Sequence, residues 1–277
     1  MLITATCLLS FTLCAAQTPE KNSRRLQPLV PPAANAEPQT GVIAGATATQ
    51  PVDTGTGPRL LPTQEPLPFA YDRPLLEVDG ERIMASELNE LVLYYRSFRP
   101  GLTDTLLIDA VAALLPRTVL RARYGHDLTA MRAQTEDILS QLRAGRPFAE
   151  VAKDFSEDTE APNPEGRYTF GRQRAVQPFD RVSFTAAPGS GPQPPCLTVY
   201  GFHIIEPLSY ERGLTPAEDQ ATMRHILVMY PGLHAMESSG KDVRAWIKEQ
   251  VAAAKIRVLW PGLENLVPPE NRSQIVP

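Results

Sequence analysis

Gly201-Phe202-His203-Ile204-Ile205 and, about twenty residues later, Arg224-His225-Ile226-Leu227-Val228 are the two stretches on which the fold turns. Each is an apolar run carrying one histidine and rich in β-branched or aromatic residues, the composition of a strand. Met223 to Met229 is nearly continuous in its apolar character, which suits a strand covered on both faces. Two such runs with one histidine each predict a single folded unit in which they share a sheet.

The chain has 277 residues, enough for two small domains and linkers, and carries a net charge of -4 from interspersed acids and bases. No basic stripe is present, so nucleic acid and anionic membrane surfaces are poor partners. Cys7, Cys14 and Cys196 are the cysteines; the first two lie in an apolar N-terminal stretch, and no disulfide framework results. Residues 2 to 16 are uncharged and mostly apolar, too short to span a bilayer, and end in small residues before Gln17. That pattern predicts a secretory signal over 1–16 and an exported, periplasmic or envelope-associated product. Leu13 stands where lipoprotein signals have a small residue, which disfavours lipidation at Cys14. No other segment reads as membrane-spanning. From 17 to 70 the chain holds ten prolines and no aromatic residue before Phe69, a composition that predicts a disordered, proline-rich linker.

The folded part begins at Leu75-Leu76-Glu77-Val78-Asp79-Gly80-Glu81-Arg82-Ile83, where Asp-Gly between alternating runs predicts a hairpin. Ser86 is placed to cap a helix with Leu88, Leu91, Val92 and Tyr95 on one face, ended by Pro100-Gly101. A second helix from Thr103 or Asp104 aligns Leu107, Ala110, Val111, Leu114 and Leu115, with a kink expected at Pro116 and a stop at Gly125. Thr129 to Ala144 reads as a third helix, and Pro147 starts a fourth with Phe148, Val151, Ala152 and Phe155 on its apolar face. Near the end, a helix around Asp242 to Ala254 precedes a strand, Ile256 to Leu259, able to pair with the N-terminal hairpin.

Between Leu139 and Ile205 several pieces stand in a fixed order. They are Leu142-Arg-Ala-Gly-Arg-Pro-Phe-Ala-Glu-Val-Ala-Lys-Asp-Phe-Ser-Glu-Asp158, Tyr168-Thr169-Phe170-Gly171-Arg172, Pro178-Phe179-Asp180, Ser183-Phe184, Pro188-Gly189 and the Gly201 strand. In order and spacing they resemble the parvulin-type (PpiC, rotamase) prolyl isomerases, in which a His-Ile-Leu-Val strand opens the domain and a Gly-aromatic-His-Ile-Ile strand closes it. In this chain the opening strand comes last. The resemblance therefore implies an α+β fold with a small antiparallel sheet, circularly permuted so that the first strand is supplied late. A truncated second domain is disfavoured, because no Phe-x-x-x-Ala or Phe-Ser segment follows Val228. His126 competes with His225 for the first-strand position, but Tyr124-Gly125-His126-Asp127-Leu128 fits a helix stop better than a strand. The hairpin and first two helices resemble the chaperone-like module that precedes parvulin domains in exported folding factors. The organisation expected is a signal at 1–16, a linker at 17–70, a helical module at 71–125, a parvulin-like domain at 126–230 with its late strand at 222–230, and a C-terminal helix and strand at 231–277 that pack on the helical module.

The resemblance also implies the chemistry. Nothing is transferred in prolyl isomerisation; the catalyst favours the twisted amide, in which the resonance behind the roughly 18–20 kcal/mol barrier is lost. His203, His225, Asp158 and Thr198 would form the polar catalytic centre, with Thr198 on the strand before His203. Phe179, Phe170, Val176, Ala175 and Tyr200 would line the proline pocket. Each residue also has a structural reading: paired histidines hold a sheet, Asp158 caps a turn, and Phe179 is a core residue opening a short helix. The chain departs from the family pattern at Glu165-Gly166-Arg167-Tyr168, where a Gly-Gly-x-Leu-Gly turn is usual, and at Ala175, where a long apolar residue is common. These departures favour a non-catalytic holdase with a parvulin-like groove, whereas the retained His203, His225, Asp158 and Phe179 favour an enzyme; the function expected is a peptidyl-prolyl cis-trans isomerase assisting the folding of exported proteins, with the holdase as the alternative. No cofactor and no metal are implied, and the partners would be unfolded or extended exported polypeptides with X-Pro bonds. Removing everything after Tyr210 is expected to abolish the parvulin-like domain, read as loss of its cooperative unfolding transition, because His203 loses its neighbouring strand and His225 together.

Overall fold

The computed structural model describes residues 57–59, 72–99, 103–158, 161, 163 and 165–277, so the signal-like segment and most of the proline-rich stretch lie outside the described residues. In chain order the elements are β1 (Pro74–Val78), β2 (Glu81–Met84), α1 (Ala85–Arg96), α2 (Thr103–Tyr124), α3 (Leu128–Arg143), α4 (Phe148–Phe155), β3 (Arg167–Gly171) and α5 (Phe179–Thr185). They continue with β4 (Cys196–Leu197), β5 (Gly201–Glu211), β6 (Gln220–Met229), α6 (Leu233–Ser238), α7 (Val243–Ala253) and β7 (Ile256–Val258). Two antiparallel sheets result, ordered β2-β1-β7 and β3-β6-β5-β4.

The smaller sheet starts from the Asp-Gly turn. Asp79 (φ 50°) and Gly80 (φ 91°) both adopt positive φ, as a two-residue hairpin loop matched to strand twist requires. β7 lies antiparallel beside β1, with Leu76 opposite Val258, so the end of the chain completes the sheet begun at its folded start. Helix α1 begins two residues earlier than a Ser86 cap predicts, at Ala85 with Met84 as its N-cap. The Glu87 carboxylate accepts the Met84 N–H at 3.0 Å, supplying the capping contact from inside the first turn. Helix α2 runs through Pro116 without a break, and Leu106 rather than Leu107 is its fully buried leucine there.

In the larger sheet β5 and β6 pair from Gly201↔Met229 to Glu211↔Gln220, interrupted by a bulge near Pro207, whose missing N–H suits such an irregularity. The two histidine runs are therefore neighbours, and β6, the later strand, lies between β3 and β5. Alternation sorts the side chains. Phe202 faces the α3 side, where the Arg132 guanidinium sits 5.1 Å from its ring centre, and Arg224 likewise covers Phe148 of α4 at 4.4 Å. His203 and His225 face the opposite side, towards α5. Helices thus cover both faces, which is why both runs are apolar almost throughout.

Gly201 has a steric reason. Its φ is 145°, and a Cβ there would fall 2.1 Å from the Val228 carbonyl oxygen. The backbones of β5 and β6 approach too closely at that point for any side chain.

At the far tip of the β5–β6 hairpin, the described end of the proline-rich stretch is bonded to the domain. The Arg59 guanidinium pairs with Asp219 at 3.0 Å and donates to the Gly213 carbonyl at 3.0 Å, while Arg212 donates to the Gly57 carbonyl at 3.0 Å. Composition alone placed these residues in a linker; the ion pair with a buried carboxylate attaches them.

Replacing Gly201 by Ala is expected to lower stability by about 1–3 kcal/mol or more, from overpacking against a backbone that cannot retreat. Denaturant unfolding of the two proteins measures it.

Candidate functional site

His203 sits opposite Leu227, and His225 two residues before Leu227 on the same face, so the imidazoles are diagonal neighbours across β5 and β6. Their rings lie nearly parallel, with Nδ1 facing Nδ1 at 3.1 Å. Both residues are 4 % exposed.

Beyond β3, the edge of β6 is covered by the chain that leaves α4. Glu157 N–H donates to the Leu227 carbonyl at 2.8 Å, and Leu227 N–H donates to Ser156 Oγ at 3.3 Å. This brings the next residue, Asp158, to His225, with Nε2 and Oδ2 2.9 Å apart. Tyr168 on β3 donates its hydroxyl to the same carboxylate oxygen at 2.8 Å. Gly166 lets β3 start there: its φ is 59°, its carbonyl accepts the His225 N–H at 3.1 Å, and a Cβ would lie 2.5 Å from the His225 oxygen. One glycine of the usual turn is retained, and it is the one that the contact with the histidine strand requires.

At the other end, Thr198 Oγ1 is 2.9 Å from His203 Nε2. Thr198 lies in the turn between β4 and β5 rather than on the strand the resemblance implied. The turn is closed by Thr198 N–H donating to the Gly201 carbonyl at 2.8 Å and Tyr200 N–H donating to Thr198 Oγ1 at 3.1 Å.

These contacts join four side chains in one hydrogen-bonded row. A carboxylate only accepts, so His225 Nε2–H donates to Asp158; the donor at each bond beyond it follows from the tautomers of the two rings, and the Thr198 hydroxyl also has the Gly201 carbonyl as an acceptor at 3.3 Å. Burial, and then the charge of His225, hold His203 well below the usual histidine pKa, with Asp158 opposing them. Burial thus keeps the His203 ring neutral at neutral pH.

Phe179, the first residue of α5, meets both imidazoles edge-to-face, each at 5.1 Å between ring centres. Phe170 adjoins it at 6.0 Å. The structure therefore brings His203, His225, Asp158, Thr198, Phe179 and Phe170 together. Tyr200 joins through its backbone bond to Thr198. Ala175 and Val176 are half-buried in the loop leading into α5, where the Val176 carbonyl accepts the Asp180 N–H at 3.0 Å. His126 is the partner of Asp127 on the surface, with 78 % of its side chain exposed, and takes no part. Tyr168 was not read as a site residue; its place two residues from Phe170 on β3, hence on the same face, was the available signal. Among the described residues no group of three or more His, Cys, Asp or Glu is placed to hold a metal ion, and no helix is long and apolar enough to cross a membrane.

Residues 120–208 match the family model of the rotamases, described as the PPIC-type PPIASE domain. The chain carries a parvulin-class domain. Among curated proteins it is similar to Chaperone SurA of Pseudomonas savastanoi pv. phaseolicola, with 27% identity over 46% of this chain and 28% of that protein. It is also similar to Foldase protein PrsA 1 of Lactobacillus johnsonii, 23% identical over 46% of this chain and 49% of that one. Foldase protein PrsA of Caldanaerobacter subterraneus subsp. tengcongensis is 36% identical over 32% of this chain and 28% of its own length. The chain thus spans between about a quarter and a half of these relatives. No solved structure gave a significant match. The matched interval of the parvulin-class domain ends at residue 208, before β6, although β6 supplies His225 to its centre.

Two buried groups give acid sensitivity of opposite sign. His203 titrates below its unfolded value of about 6.5, so its contribution to stability is complete above that pH and is lost as pH falls. Asp180 on α5 is pushed by burial up to about 6, so its contribution is complete below about 4 and is lost as pH rises towards 6. Each slope is at most about 1.4 kcal/mol per pH unit. Denaturant unfolding between pH 4 and 6 is expected to show wild type losing stability relative to His203→Gln, and gaining it relative to Asp180→Asn, as the pH falls.

Proposed function

We propose that the chain is a peptidyl-prolyl cis-trans isomerase that assists the folding of exported polypeptides, its domain circularly permuted so that β6 fills the place of the family's opening strand. The observation that carries this reading is the unbroken chain Thr198–His203–His225–Asp158 with Phe179 edge-on to both rings. An X-Pro amide lies within about 1 kcal/mol of cis/trans balance, so a catalyst need only stabilise the twisted form between them. Phe179, Phe170 and Val176 form the apolar wall for the proline ring. The hydrogen-bonded row holds both imidazoles, and Phe179 against them, in place before an amide binds, so little reorganisation is needed when the amide loses its resonance. The match to the PPIC-type domain and the similarity to proteins named chaperone and foldase support it. The apolar stretch at residues 2–16 supports export. The hairpin, α1 and α2, closed by β7, are the auxiliary chaperone-like module of this reading.

A second reading, a holdase that grips extended segments without useful turnover, is favoured by Ala175 in place of a long apolar residue. A shallower cup buries less of the proline ring, at about 25 cal/mol per Å².

Refolding of a proline-limited substrate separates the two. Catalytic amounts of the protein are expected to accelerate the slow phase, and Asp158→Ala or Phe179→Ala to reduce that acceleration tenfold or more while the protein stays folded. An unchanged slow phase at equimolar protein overturns the enzyme reading, and suppressed aggregation in the same sample then supports the holdase.

A further inference from the structure

We infer that Tyr94 is a positioning residue for the site: helix α1 of the hairpin module sets the place of Phe179 by holding the residue that follows it, Asp180. The inference rests on Phe179 being the proline-ring wall of the proposed isomerase. Tyr94 and Asp180 are each 0 % exposed, and the Tyr94 hydroxyl donates to Asp180 Oδ2 at 2.5 Å. They are 86 residues apart in the chain, and the bond joins α1 to α5.

Helix α5 spans only Phe179–Thr185 and has little length by which to fix its own orientation. At the Asp180 end, the carboxylate takes the tyrosine hydroxyl and lies 3.4 Å from Gln177 Nε2, inside a region where an unpaired carboxylate is costly. The other link to α1, Arg181 with Glu90 at 3.2 Å, has a glutamate side chain 57 % exposed and is weak by comparison. The tyrosine is itself held. Phe98 meets its ring edge-on at 5.1 Å, and the Arg172 guanidinium lies 5.6 Å from the Tyr94 ring centre and 4.6 Å from that of Phe184. Arg172 in turn bonds Asp219 at 3.1 Å and the Tyr210 hydroxyl at 2.9 Å, so the support ends in the β5–β6 hairpin itself. Phe179 is next in sequence to Asp180 and touches both imidazoles, so a shift of the pinned residue moves the wall relative to the histidines. A misplacement of about 1 Å at a reacting group is enough to cost up to a hundredfold in rate.

The test compares Tyr94→Phe, which removes only the hydroxyl, with Leu263→Ala, which destabilises the smaller sheet's core away from α5. Two quantities are read at a temperature where both variants are fully folded: the imidazole proton resonances of His203 and His225, which sense the ring current of Phe179, and the isomerase kcat/KM. Tyr94→Phe is expected to displace both histidine resonances and lower kcat/KM roughly tenfold or more. Leu263→Ala is expected to lower the unfolding midpoint and leave both readouts at wild-type values. If Tyr94→Phe lowers the midpoint while the histidine resonances stay in place, the tyrosine is structural only and the inference fails. A wild-type protein without isomerase activity defeats the functional reading alone, since the resonances still report whether Tyr94 sets Phe179.

Discussion

The pairing of β5 with β6 is the constraint on which the rest of the larger domain depends. It places two apolar strands at the centre of a four-stranded sheet, with helices on both faces, and it alone brings His203 within reach of His225. Every other contact of the site is built outward from it. Asp158 arrives because the chain leaving α4 bonds to the free edge of β6, and Thr198 arrives because the turn into β5 closes on Gly201. The close backbone approach at Gly201 and Gly166 is the steric counterpart of the same pairing.

A buried pair of imidazoles is stable only when each nitrogen has a partner of the right sense. Here the carboxylate at one end and the hydroxyl at the other supply those partners along a row of four side chains. Burial makes protonation of His203 unfavourable. A pre-aligned hydrogen-bonded row is what lets two histidines lie inside a sheet.

Charge is handled differently on the other side of α5. Arg172, with its guanidinium among Tyr94, Phe98 and Phe184, pairs with Asp219, and Asp219 also receives Arg59 and the Tyr210 hydroxyl. Removing one partner of such a cluster leaves another buried and uncompensated, so its members act together. Through it the hairpin module, the tip of the larger sheet and residue 59 of the proline-rich stretch are joined.

Local pattern was enough to read the Asp79-Gly80 hairpin, the amphipathic helices and the two histidine strands, because turn chemistry and periodicity are short-range properties of the chain. The order and spacing of residues 142–205 were enough to point to a parvulin-class domain, and with it to His203, His225, Asp158 and Phe179. Other features depended on contacts between residues far apart in sequence. Nothing near Tyr94 marks it as the partner of Asp180, and nothing near Arg59 marks it as the partner of Asp219, since a hydrogen bond or ion pair between distant residues leaves no periodic trace. Ser86 looked like a cap, but Glu87 was the side chain positioned to accept the free N–H. The choice between His126 and His225 shows the division most plainly. Sequence offered both, with strand propensity favouring the second; the sheet decided, because only a residue on a strand hydrogen-bonded to β5 can set its imidazole against that of His203.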